Sequence, residues 1–207
     1  MPTQLFNEPE SYLLRNWAKA QLLAESMVAV REKYTQVFGK ILDSVQEEHP
    51  ELDSRFIHMT PSDGLVIIGK QKWPSMYAQW PSGFRIGAIR PENLASEDEE
   101  APEAAVMFCP PKEVRSQVNL QQVADTFEKE AAKLMTKDEF KRVSVQTTKS
   151  YAYLGYPLPE PRQKLLELLL AEEARAFIEC VRAHFESLTR FIPVMDGIAQ
   201  SPQSPGQ

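Results

Sequence analysis

Residues 9–48 read PESYLLRNWAKAQLLAESMVAVREKYTQVFGKILDSVQEE, and this stretch decides the fold. Leu13, Trp17, Ala20, Ala24, Met27, Tyr34, Phe38, Ile41 and Val45 step by four and three residues in alternation, with Arg31 the one polar residue in the series. A stripe of that period predicts one long amphipathic helix with a single seam set against a partner surface. Asn7 can cap its start, with Pro9 tolerated in the first turn. His49-Pro50 ends it, because the residue before a proline avoids the helical region. Such a helix is about 60 Å long, whereas a compact domain of this size is roughly 40–45 Å across. Either the helix breaks, most cheaply at Gly39, or it overhangs. The simpler fate of the seam is to pack along its whole length against the C-terminal helix of its own chain. An overhanging seam would instead need a protein partner, most simply a second copy and so a homo-oligomer.

Downstream the period changes. Residues 55–59 and 65–69 are apolar runs around Thr60-Pro-Ser-Asp-Gly64, which predicts a β-hairpin. Residues 84–90 and 104–109 read as further strands, separated by an acidic loop over 96–103. Asn119 caps a helix over 120–135, with Leu120, Val123, Ala124, Phe127, Ala131 and Leu134 inward. Residues 142–154 read as one more strand, with Val143, Val145, Thr147, Tyr151 and Tyr153 on one face. Residues 160–192 form a C-terminal helix closed by Pro193, and 200–207 a disordered tail.

The expected fold is therefore α+β, a single domain over residues 1–199. An antiparallel sheet of four to five strands, within 55–155, is covered by the long N- and C-terminal helices and one shorter helix. The two long helices are expected to run antiparallel.

The chain has 207 residues and a net charge of −6, which argues against a general nucleic-acid coat. Cys109 and Cys180 stand alone in apolar surroundings, as free thiols of a reducing compartment do. No apolar run is long enough to span a membrane and no basic-then-apolar leader opens the chain, so a cytoplasmic address is expected. His49, His58 and His184 make no metal-ligand spacing, and no phosphate-cradling glycine motif occurs. No metal, no cofactor and no catalytic set is specified.

One region runs against the acidic whole. Between Ser54 and Arg90 the bases are Arg55, Lys70, Lys72, Arg85 and Arg90, and the only acid is Asp63. Trp73, Tyr77, Trp80 and Phe84 are interleaved with them, and Trp73-Pro-Ser is echoed by Trp80-Pro-Ser. Lys70, Lys72, Trp73, Tyr77, Trp80, Arg85 and Arg90 are thus the candidate binding residues, with aromatics for stacking and cations for phosphate or carboxylate. The opposing reading caps the core with both indoles and lays the basic stems over them. Asp63 followed by Lys70-Gln-Lys72 resembles the outline of a restriction-type nuclease core, but Lys70 fills the slot of the second metal-binding acid, which implies an inactive relative. Asp63, Glu92 and Lys72 are the set to examine for a dispersed active site.

The leading expectation is a non-catalytic interaction component of a larger cytoplasmic assembly, docking through the long helix and the aromatic/basic surface. The alternative is a nucleic-acid-associated protein, an inactive nuclease-like domain included.

Overall fold

The computed structural model describes residues 8–60, 65–77, 80–86, 103–158, 160–171 and 174–200. Helix α1 spans Glu8–Arg15 and α2 spans Trp17–Glu48. Strands β1 (Asp53–Thr60), β2 (Leu65–Gly69), β3 (Ser75–Tyr77), β4 (Trp80–Pro81), β5 (Gly83–Ile86) and β6 (Glu103–Phe108) follow. Next come α3 (Leu120–Leu134), α4 (Lys137–Phe140), β7 (Ser144–Thr147) and β8 (Ala152–Pro157). The chain closes with α5 (Arg162–Leu170), α6 (Arg175–Thr189) and α7 (Ile192–Gln200). No helix among the described residues is long and apolar enough to cross a membrane.

The fold is α+β. Its antiparallel sheet has the order β1-β2-β5-β6-β8-β7, and β3–β4 forms a small separate ribbon. The predicted single strand over 142–154 is two strands. Thr148 Oγ1 accepts the backbone N–H groups of Ser150 and Tyr151, both at 3.1 Å, and that side-chain turn folds β7 back onto β8. Val145 pairs with Leu154 and Gln146 with Tyr153, so Tyr153 lies on the face opposite Val145 rather than beside it.

One sheet face carries Ile68, Phe84, Val106 and Leu154 in register. Phe38 of α2, Phe127 of α3, and Phe177, Val181 and Phe185 of α6 complete one core with them. Asn119 Oδ1 accepts the Gln122 N–H at 3.1 Å, which confirms the predicted cap of α3. Thr136 and Glu139 cap α4 reciprocally.

The long helix differs from expectation in three ways. It runs through Gly39 without a break, and the interruption comes at Asn16. Its seam is buried only from Tyr34 onward, at Tyr34, Phe38, Ile41, Leu42 and Val45. It also runs in the same direction as α6, not against it. Phe38 meets Phe177, Ser44 and Glu48 meet Arg182, and His49 meets Glu186, so the contacts climb together. The cause lies in the C-terminal region, where the predicted helix over 160–192 is split into α5 and α6, with α7 following beyond it. Ala174 adopts a left-handed φ of 52° between α5 and α6. That corner sits beside residues 30–40 of α2, so α6 starts at the middle of α2 and runs with it. Pro193 does not end a helix but falls in the first turn of α7, where a missing N–H costs nothing. The Asn7 cap, the Asp63 turn, the acidic loop up to 102 and the tail from 201 lie outside the described residues.

His184 of α6 is buried, stacked on Tyr156 with ring centroids 4.8 Å apart. Burial pushes its pKa down to about 4. The unfolded chain therefore binds a proton between about pH 6.5 and 4 that the folded chain refuses, so stability falls as pH drops through that window. Chemical denaturation at pH 7 and pH 4 should differ by on the order of 3 kcal/mol from this group, and His184→Phe should flatten that part of the profile. Burial likewise pushes the Cys109 thiol up to about 12, so in the native state its reaction with a disulfide reagent should wait on unfolding, and rapid labelling of Cys109 would contradict its burial.

Candidate interaction surface and the Asp196 cluster

Two features stand out from the fold. The first is the part of α1 and α2 before Tyr34, where no residue is buried. Tyr12, Leu13, Leu14, Trp17, Leu22, Leu23, Met27, Val28 and Val30 are each about half exposed or more, from 48% at Leu13 to 67% at Tyr12. At 100° per residue, Trp17, Ala20, Leu23, Ala24, Met27, Val28 and Val30 share one side of α2. Tyr34, Phe38, Ile41 and Val45 continue that side into the core. The stripe is one stripe. Its second half is covered by α6 and the sheet, and its first half projects as an arm. At the root of the arm, Val30, Tyr34, Val37, Leu169, Leu170 and Ala174 line an apolar groove of about 500 Å³, edged by Lys33 and Lys40.

The second feature is a cluster built on Asp196. Lys70 and Lys72 follow β2, and Trp73 lies in the turn they open, its N–H donated to the Lys70 carbonyl at 3.0 Å. Asp196 sits on α7, in an otherwise apolar run. Lys70 Nζ lies 2.9 Å from Asp196 Oδ2, and Lys72 Nζ lies 3.1 Å from Oδ1. Trp73 Nε1 donates to Oδ1 at 2.7 Å. Burial pushes the carboxyl up, but the hydrogen bonds from Lys70, Trp73 and Lys72 outweigh it and hold Asp196 below its ordinary value. The indole is buried, edge-on to Phe84 at 5.5 Å, with the Lys70 ammonium 5.7 Å from its ring centre. A side chain at Gly69 would bring its Cβ within 2.7 Å of the Ser82 carbonyl and 3.2 Å of the Trp73 ring, so glycine there makes room for the indole.

Of the candidate binding residues, Lys70, Lys72 and Trp73 are thus brought together, around a carboxylate of their own chain. Arg85 is elsewhere, on the sheet face away from the helices. Its guanidinium lies over the Tyr153 ring at 5.6 Å and donates toward Met107 Sδ at 3.7 Å. Tyr77 and Trp80 are paired in register across the β3–β4 ribbon, in which Ser75 of the first Trp-Pro-Ser segment pairs with Pro81 of the second. Arg90, Asp63 and Glu92 lie outside the described residues. Sequence reasoning missed Asp196. Its signal was present as a lone acid in Ile192-Pro-Val-Met-Asp-Gly-Ile, a pattern that asks for a buried cationic partner. A further cleft of about 280 Å³ opens between α3 and the edge strand β7, with Asp125 and Glu128 on its wall. No group of three or more metal-ligating side chains is present among the described residues.

Asp196→Ala leaves Lys70 buried without its anion and the indole N–H unsatisfied, and should lower stability by about 2–3 kcal/mol. Asp196→Asn, which keeps an acceptor, should cost less. Because the folded carboxyl titrates below its unfolded value, its contribution is present above about pH 4 and is lost on further acidification. Denaturant titrations of the variants check both points. Comparison of the chain with protein-family models, with curated proteins and with solved structures finds no match in any of the three.

Proposed function

We infer that this chain is a non-catalytic interaction component of a larger assembly, and that it docks through the arm formed by α1 and the first half of α2. The observation that carries this reading is the run of nine large apolar side chains on the arm, each about half exposed or more. Single exposed apolar residues are ordinary on protein surfaces, but five of these nine, Trp17, Leu23, Met27, Val28 and Val30, share one side of α2, and a contiguous stripe of that kind marks a contact surface. The stripe has the spacing that seats a helix against another helix or in a groove. Its position supports the same reading. The exposed half of α2 is continuous with its packed half, so the apolar stripe is presented already helical and little order has to be gained on binding.

Nucleic-acid association through residues 70–90 draws less support. Lys70 and Lys72 are engaged by Asp196, and the Trp73 ring is packed inside the domain.

The reading is tested by native sedimentation of an extract of cells making the full chain. Wild-type protein should migrate well above the 23.6 kDa of one chain. Leu23→Asp with Met27→Asp should collapse that species while leaving the circular dichroism and melting temperature of the purified chain within about 2 °C, since neither side chain reaches the core. Equal migration of wild type and variant would remove the arm from the docking role.

A further inference from the structure

We infer that the free edge of β7 receives an extended segment of another protein, with Lys or Arg at alternate positions, as a further strand of the sheet. This surface is separate from the arm and goes beyond the role proposed for it. The sheet order places β7 at one edge and β1 at the other. The two edges are not alike. β1 carries Asp53 and Arg55, and its pairing with β2 shifts register between Asp53 and His58. Charge and irregularity are what keep an exposed edge from recruiting another strand. β7 pairs with β8 in unbroken register from Ser144 to Thr147 and contains neither a charged residue nor a proline.

The hairpin fixes which backbone groups of β7 look outward. The Thr148 N–H donates to the Tyr151 carbonyl at 2.8 Å, across the turn. Hydrogen-bonded and non-hydrogen-bonded pairs alternate along an antiparallel ladder. Gln146–Tyr153 is therefore a hydrogen-bonded pair, and Val145–Leu154 and Thr147–Ala152 are not. The N–H and C=O groups of Val145 and Thr147 point away from β8, and no hydrogen bond from another described element reaches them. They offer two donors and two acceptors to an incoming strand, the mode by which sheets take up extended peptides.

The cleft beside that edge sets the chemistry of the occupant. Val145 shares the helix-covered face with its buried pair Leu154, so a peptide residue paired with Val145 or Thr147 turns its side chain toward α3. There the cleft of about 280 Å³ has an apolar lining of Ala124, Phe140, Val143 and Val145, with Asp125 and Glu128 on its α3 wall. Both acids are exposed, and no base among the described residues lines the cleft. The bases next in sequence to β7 are engaged elsewhere: Lys141 Nζ lies 3.0 Å from Asp138, and Arg142 donates to the Pro157 and Leu158 carbonyls. An apolar lining beneath two carboxylates suits a long basic side chain, whose stem lies on the lining while its cation meets the acids. A second copy is a poor occupant, because a two-fold axis at β7 would set two acidic walls side by side.

The test titrates the purified full chain into a fluorescein-labelled Thr-Lys-Val-Lys-Thr peptide at low salt and follows anisotropy. The peptide should bind, and replacing both lysines by glutamate, or N-methylating both lysine amides, should weaken it at least tenfold. Asp125→Asn with Glu128→Gln should weaken it at least tenfold and flatten its salt dependence. Thr147→Pro removes an outward donor but no bond to β8, so it should weaken binding as much while leaving the melting temperature within about 2 °C. By hydrogen exchange, the Val145 and Thr147 amides should be faster than those of Ser144 and Gln146 in the free chain, and should slow when the peptide is added. The arm variant Leu23→Asp with Met27→Asp should bind the peptide as wild type does, which keeps this test separate from that of the arm. Absence of binding up to about 1 mM chain would overturn the edge as a docking site. Undiminished binding of the N-methylated peptide would show attraction by charge alone and overturn strand addition. Equal binding of the glutamate peptide would overturn the basic partner.

Discussion

A helix of 32 residues is longer than the domain that supports it, and the rest of the molecule is arranged around that mismatch. α2 is about 48 Å long. The sheet beneath has six strands at roughly 4.8 Å spacing, which gives a platform only about half as wide. Whatever the angle between helix and sheet, part of the stripe has no platform. The chain responds by burying the aromatic and β-branched half, Tyr34 to Val45, and leaving the alanine-rich half outside. That division is itself informative. The half with large side chains spaces helices apart and fills a core, whereas alanine at positions 20 and 24 suits close approach to another helix.

The covered half is held by contacts that are remote in sequence. α6 supplies Phe177 against Phe38 and Arg182 against Ser44 and Glu48. α7, which follows it, is tied to the end of β2 by Asp196. The lysines and the tryptophan that converge there lock the C-terminal helix across the sheet end, in a partly buried site where removal of the anion is costly. Of the segment whose pattern most resembles a ligand surface, Lys70, Lys72 and Trp73 thus contribute to a partly buried ion cluster within the chain. The segment that looked like a packing seam supplies the largest apolar exposure on the described surface.

These two exchanges have one physical origin. An amphipathic period reports that a face is to be covered, but it carries no information about which chain covers it. A basic and aromatic cluster reports that anions are to be met, and an aspartate of the same chain, 123 residues on from Trp73, meets part of that need here. The α+β class, the Asn119 cap, the inner face of α3 and the continuity of the helix stripe were all legible, because each depends on residues within a few turns of one another. The splitting of 142–154 into β7 and β8 was legible in principle from Thr148-Lys-Ser150, a short polar turn between two apolar runs.

What the sequence determined by itself was local: where helices and strands form, which side of each is apolar, and that the first helix outruns any compact partner. Tertiary structure alone decided the direction of α6 relative to α2, because that depends on a left-handed corner at Ala174 that no periodicity marks. It alone decided that Lys70, Lys72 and Trp73 meet Asp196, because the four are joined only when α7 closes over the end of β2. And it alone decided where on α2 the core stops, because burial is fixed by the width of the sheet and the placement of α6, which are properties of the assembled layers and not of the helix they cover.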